Sequence, residues 1–140
     1  MPDPPKKPSA IGREFIGDVR EWPLVRIKAP MADPEIDSFF VLINRYLERR
    51  TRFGIVFDVR GMPLLNALQR KKFADYITAK SGALKQFIAG QAVIVNSNLE
   101  AGIVTAVLWV APTPFPTKVF NDYGDGEEWV KKQLPADFSR

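Results

Sequence analysis

The chain contains neither histidine nor cysteine in its 140 residues, so any chemistry must come from carboxylates, cations, hydroxyls and amides. The missing imidazole removes the commonest general base near neutral pH, the commonest transition-metal ligand and every Ser-His arrangement. The missing thiol removes disulfides, Cys-based zinc sites and thiolate nucleophiles. The best-placed reactive group left is Asp58, which closes the apolar run Phe53-Gly54-Ile55-Val56-Phe57 and precedes Val59-Arg60-Gly61-Met62-Pro63. An apolar strand ending in Asp, then a Gly/Pro turn and a helix, is where α/β domains present their working surface. Two readings of Asp58 stay open: a functional carboxylate, or an acceptor for the N–H groups of its own turn. No second carboxylate stands at a defined spacing from it, so neither paired acid/base catalysis nor a magnesium site is indicated. Gly12 and Gly17, like Gly124 and Gly126, lack the flanking strand and helix of a phosphate loop. No cofactor or metal is expected, and no nucleophile-base pair can be assembled, so the chain reads as a non-enzyme.

Periodicity shows which elements must position this passage. Pro2, Pro4, Pro5 and Pro8 predict a flexible tail over residues 1–11, ahead of an α/β domain over 12–135 and a short tail over 136–140. Residues 14–20 and 24–29, separated by Glu21-Trp22-Pro23, predict an antiparallel hairpin with Pro23 opening its second strand. Asp33-Pro34 predicts a helix with Asp33 as N-cap and the stripe Ile36, Phe39, Phe40, Ile43 and Leu47 facing the core. The run 53–59 reads as a strand covered on both faces. Beyond Gly61-Met62-Pro63, a second helix carries Leu65, Leu68, Phe73, Tyr76 and Ile77 on its apolar side, and Ser81-Gly82 breaks it. Residues 92–96 predict a buried strand, and Ser97-Asn98-Leu99-Glu100 has the capping-box pattern ahead of an apolar helix over 101–110. Residues 117–120 predict an edge strand, and Asp125-Gly126-Glu127-Glu128 a cap before a last helix bearing Trp129, Val130 and Leu134. The fold class is therefore α/β: a mainly parallel sheet of four to five strands, an N-terminal antiparallel hairpin and about four helices.

This order, with the phrases Trp22-Pro23-Leu24-Val25, Ile55-Val56-Phe57-Asp58 and Glu128-Trp129-Val130, resembles the SpoIIAA-like branch of the STAS superfamily. The resemblance implies a small regulatory module that binds another protein, such as a kinase, an anti-sigma factor or another regulator. In that family a Ser at the start of the helix after the Asp-ended strand is phosphorylated, and the phosphate switches binding. Here the strand's Asp matches Asp58, and the Asp-Ser pair falls at Asn66-Ala67, so the phosphoacceptor is missing. Ala67 has no oxygen to carry a phosphate, which turns the expectation from a phosphoswitch to a constitutive binding surface. The candidate surface comprises Asp58, Arg60, Gly61, Met62, Asn66, Ala67 and Arg70. A topological likeness to CRAL-TRIO domains gives the alternative, a lipid or small-ligand pocket beside the helix from Leu99.

The remaining features carry weaker signals. Arg45, Arg49, Arg50 and Arg52 cluster at the end of the first helix and Arg70-Lys71-Lys72 lie on the second, forming either one binding surface or solvated faces. A net charge of +4, from 20 basic against 16 acidic residues, is too mild to indicate nucleic acid. Trp22, Trp109 and Trp129 sit among apolar residues and read as packing. No apolar run is long enough for a membrane span and no secretory leader is visible, which makes the cytoplasm the expected location. A homodimer through a strand edge is compatible with the pattern.

Overall fold

The alternation of residues 24–29 has the meaning the sequence suggests: Leu24 goes to one face of the sheet, and Val25 and Ile27 to the other. The computed structural model describes residues 17–30, 32–98, 100, 102, 104 and 113–135. Strands β1 (Asp18–Glu21) and β2 (Leu24–Lys28) form the antiparallel hairpin. Helix α1 (Asp33–Leu47) leads to β3 (Phe53–Asp58), and helices α2 (Ala67–Ala79) and α3 (Ser81–Phe87) lead to β4 (Ile88–Ile94). Strand β5 (Thr117–Phe120) and helix α4 (Tyr123–Gln133) follow. The sheet order is β1-β2-β3-β4-β5, with every pair after the hairpin parallel. This is the α/β class expected, in one small domain.

The helices divide between the two faces of the sheet. Val25, Ile27, Phe53 and Ile55 pack against Phe39, Leu42, Ile43, Tyr46 and Leu47 of α1 and Leu84 and Phe87 of α3. On the other face Leu24, Val56, Ala92 and Ile94 meet Val130, with Leu134 just beyond the end of α4. Strand β3 is thus covered on both sides, as its unbroken apolar run requires. Helix α4 approaches closely because β3 carries Gly54 at the crossing: a Cβ there would lie 2.5 Å from Val130 Cγ1 and 3.2 Å from Leu134 Cδ2. Arg26, on this face, bonds Glu127 of α4 and Glu21 of β1. Burial opposes its charge, but those two carboxylates outweigh the penalty and raise its pKa.

Several boundaries differ from the sequence reading. Asp33 does not cap α1: Ala32 is the N-cap, without a side-chain bond, and Asp33 Oδ1 instead accepts from Gln69 Nε2 at 2.6 Å. Strand β4 begins at Ile88, four residues before the expected 92, because pairing with Phe53 extends it through Gly90 and Gln91. Helix α4 is capped by Asp122, which accepts from the Asp125 N–H at 2.9 Å, so the cap lies three residues upstream of Asp125. The apolar side expected for the second helix includes Leu68, yet that residue is 66% exposed, and α2 has no fully buried residue. The capping box at Ser97 is present in shifted form: Ser97 Oγ accepts from Glu100 N–H, while Glu100 Oε1 accepts from Asn96 N–H. Asn98, Glu100, Gly102 and Val104 are helical; the rest of the predicted 101–110 helix lies outside the described residues, as do both predicted tails.

Candidate functional site

At the C-terminal ends of the parallel strands, β3 presents Asp58, β2 presents Lys28 and β4 ends at Ile94. Alternation puts the Asp58 side chain on the α4 face of β3, and the residue is only 8% exposed. A carboxylate that well shielded needs partners. Arg60 supplies them. Its Nε donates to Asp58 Oδ1 at 2.9 Å, its NH2 to Oδ2 at 2.9 Å, and its backbone N–H to Oδ1 at 3.0 Å. Lys28 Nζ stands 3.7 Å from Oδ2. The Arg60 bonds hold the Asp58 pKa below the ordinary carboxylate value despite the opposing effect of burial. The Arg60 guanidinium also lies over the Tyr123 ring, 5.5 Å from its centroid, tying the turn to the start of α4.

This arrangement selects between the two readings of Asp58. Its oxygens are engaged by the next-but-one residue, so it organises the turn and serves as the anchor of a loop. Beyond it, Val59 N–H bonds Ile94 O, Met62 N–H bonds Val59 O, and Gly61 takes φ +80, a left-handed value.

The loop's far end is fixed as firmly. Asn66 is the N-cap of α2: its Oδ1 accepts from Gln69 N–H at 2.8 Å, and Gln69 Oε1 accepts from Asn66 N–H at 2.9 Å. This is a reciprocal capping box in amide form. Ala67, the position matching the family's phosphoacceptor, is exposed at the first turn of α2. Arg70 NH1 donates to Leu65 O at 2.7 Å, bracing the loop from the helix side. Replacing Asn66 by Ala is expected to cost about 1 kcal/mol. Urea unfolding and loss of amide-exchange protection at Gln69 measure it, and Asn66→Asp keeps most of the stability.

The predicted surface residues Asp58, Arg60, Gly61, Met62, Asn66, Ala67 and Arg70 thus fall on one anchored loop and the first turn of α2. The same segment exposes Leu64, 76%, which the sequence reading did not single out, and Leu68, 66%, which it expected on the apolar side. Among the described residues only Val41 joins them as an exposed large hydrophobic. The available signal for Leu68 is its place in the first helical turn, two residues after the N-cap Asn66, where the chain has not yet packed down. Beneath the loop, between Met62 and Pro63 on one side and Pro30, Ala32 and Ile36 on the other, the cleft measures about 20 Å³. That is room for about one water molecule, far less than a lipid chain. The pocket expected beside the helix from Leu99 falls on segments outside the described residues.

The other candidates separate. Lys71 pairs with Asp75 and Lys72 with Asp37, so the α2 cations are largely spent within the fold. Trp22 stacks on Phe53 with centroids 5.1 Å apart, and Trp129 tilts against Phe120 at 5.9 Å, both packing roles; Trp109 lies outside the described residues. Among the described residues there is no cluster of acidic side chains able to hold a metal ion, and no helix is long and apolar enough to cross a membrane. Compared with known proteins, the chain matches no family model and no curated protein.

Proposed function

We propose that this chain is a non-catalytic protein-binding module of the STAS, SpoIIAA-like type, engaging its partner constitutively through residues 60–70. The observation that carries this reading is the exposure of Leu64 and Leu68 on either side of the Asn66 cap. Exposing two leucines costs hydration free energy that a protein interface recovers, at about 25 cal/mol per Å² of apolar surface buried. The segment that carries them is anchored before Leu64 by Asp58–Arg60 and around Leu68 by the Asn66–Gln69 box. A preordered segment loses little further entropy on binding. Arg60 and Arg70 flank the leucines and supply a polar rim. The resemblance of strand β3 and its turn to SpoIIAA-like proteins supports the same location, with a kinase, an anti-sigma factor or another cytoplasmic regulator as the partner class. Ala67 makes the interaction independent of phosphorylation at that position.

A photo-crosslinking residue at position 64 or 68 in the native cell is expected to trap a specific protein that the same residue at Lys132, on α4, does not. With that protein purified, Leu68→Asp should raise Kd by about thirtyfold, the scale of a 2 kcal/mol hot spot. Equal trapping from Lys132, or an unchanged Kd, would sink the assignment.

A further inference from the structure

At the opposite end of the sheet, where β3 and β4 begin, the chain carries a second surface of different character. Arg49, Arg50 and Arg52 follow the end of α1 and all three are exposed. Their positions are nevertheless defined. The Arg49 guanidinium lies 4.1 Å from the centroid of the Trp22 ring, that of Arg50 lies 5.5 Å from the Phe87 ring, and Arg52 NH1 donates to Gln86 O at 2.6 Å. Trp22 in turn stacks on Phe53. Arg45 stands one helical turn before Arg49, and Lys85 lies on α3, in the same stretch as Gln86 and Phe87.

These arginines are set apart as a cluster without carboxylate partners; Arg70, Lys118 and Lys132 also lack one but stand singly on other elements. Arg20, Arg26, Lys28, Arg60, Lys71, Lys72 and Lys131 each pair with a carboxylate. Among the described residues none of Arg45, Arg49, Arg50 and Arg52 does, and Glu48 is the one carboxylate on this stretch of chain. The dipole at the C-terminus of α1 favours cations here, which accounts for one or two positive charges within the last turn. It does not account for Arg52, which lies beyond the helix, nor for the placing of the Arg49 and Arg50 guanidiniums over the Trp22 and Phe87 rings. A guanidinium over an aromatic ring makes no hydrogen bond to it and so keeps N–H groups available for a planar, bidentate acceptor.

We propose that this end of the molecule is a docking site for an acidic peptide segment of a partner protein, read through carboxylate forks on Arg49 and Arg52. The other polyanions fit less well. Single strands bind by stacking bases on open rings, and the half-buried Trp22 is already stacked on Phe53 with the Arg49 guanidinium over its ring. An anionic bilayer is gripped by apolar side chains beside the charges, and no exposed large hydrophobic among the described residues belongs to this segment. The site is independent of the loop at residues 60–70.

The test titrates the full chain with a fluorescein-labelled twelve-residue peptide of alternating Glu and Ser, and with a single-stranded RNA of equal charge and phosphatidylglycerol vesicles as competitors. Fluorescence anisotropy should report peptide binding that weakens with salt, and Arg49→Gln/Arg52→Gln should weaken it about tenfold. Lys118→Gln/Lys132→Gln removes the same charge elsewhere and should leave binding within about twofold. Amide shifts in the unmodified chain should concentrate at residues 49–52 and 85–87 and at the Trp22 indole, a readout that needs no variant. Absence of peptide binding, equal losses in the two double variants, shifts centred elsewhere, or preference for the RNA or the vesicles would each overturn the proposal.

Discussion

Replacing Gly54 by valine is expected to destabilise the fold by about 3 kcal/mol, the upper range for overpacking a filled core. By propensity alone the change should help, since valine is a better strand former than glycine. The geometry reverses the sign. The new Cβ would fall 2.5 Å from Val130 Cγ1, and Val130 is a fully buried, stiff β-branched residue on α4. Leu134 Cδ2 at 3.2 Å closes the other side, so the helix must lift from the sheet. Such a loss is a large part of the 5–15 kcal/mol typical of a domain and should lower Tm by about 10 °C. A double-mutant cycle isolates the cause. Gly54→Ala and Val130→Ala should each destabilise alone, while the pair should be markedly less damaging than their sum, because the added methyl occupies the space the valine vacates. Simple additivity in urea unfolding would refute the close-approach explanation.

The second large effect concerns the loop anchor. Asp58→Ala should cost about 2 kcal/mol, the scale of a hydrogen-bonded charged pair whose arginine keeps some access to water. It should also abolish exchange protection at the Arg60 amide, which donates to Asp58. The pH dependence follows from the direction of the shift. Folding lowers the Asp58 pKa, chiefly through the Arg60 hydrogen bonds. The unfolded carboxylate therefore takes up a proton first as pH falls. The stabilisation is complete above the unfolded value of about 3.9 and is lost as pH drops below it through the folded value. The stability difference between the wild type and Asp58→Asn should therefore be constant near neutrality and shrink below about pH 4. A difference that grew on acidification would contradict the assignment. If residues 60–70 form the partner surface, Asp58→Ala should also weaken partner binding without removing a contact, since the loop must then be ordered at the moment of association.

Local rules gave the fold class because each element announces itself over a few residues. The alternation of 24–29, the stripe of α1 and the continuous apolar run of 53–58 are statements about which faces are buried, and burial dominates the energetics. Boundaries were less legible where long-range contacts compete with local signals. Asp33 looks like a cap, but the Gln69 amide from α2 takes its oxygen. Residues 88–91 look unremarkable, yet pairing with β3 makes them strand.

The candidate site divides along the same line. By itself the sequence determined that imidazole and thiol chemistry are absent, that a carboxylate ends the central strand, and that Ala67 cannot carry a phosphate. All three are matters of composition and position, which no folding can alter. Only the tertiary structure decided that Asp58 is spent on Arg60, that Leu64 and Leu68 face outward, and that Arg49 and Arg52 are fixed against distant rings and carbonyls. Those outcomes depend on which groups from remote parts of the chain arrive at the same place, and hydrogen bonds and burial are settled only there.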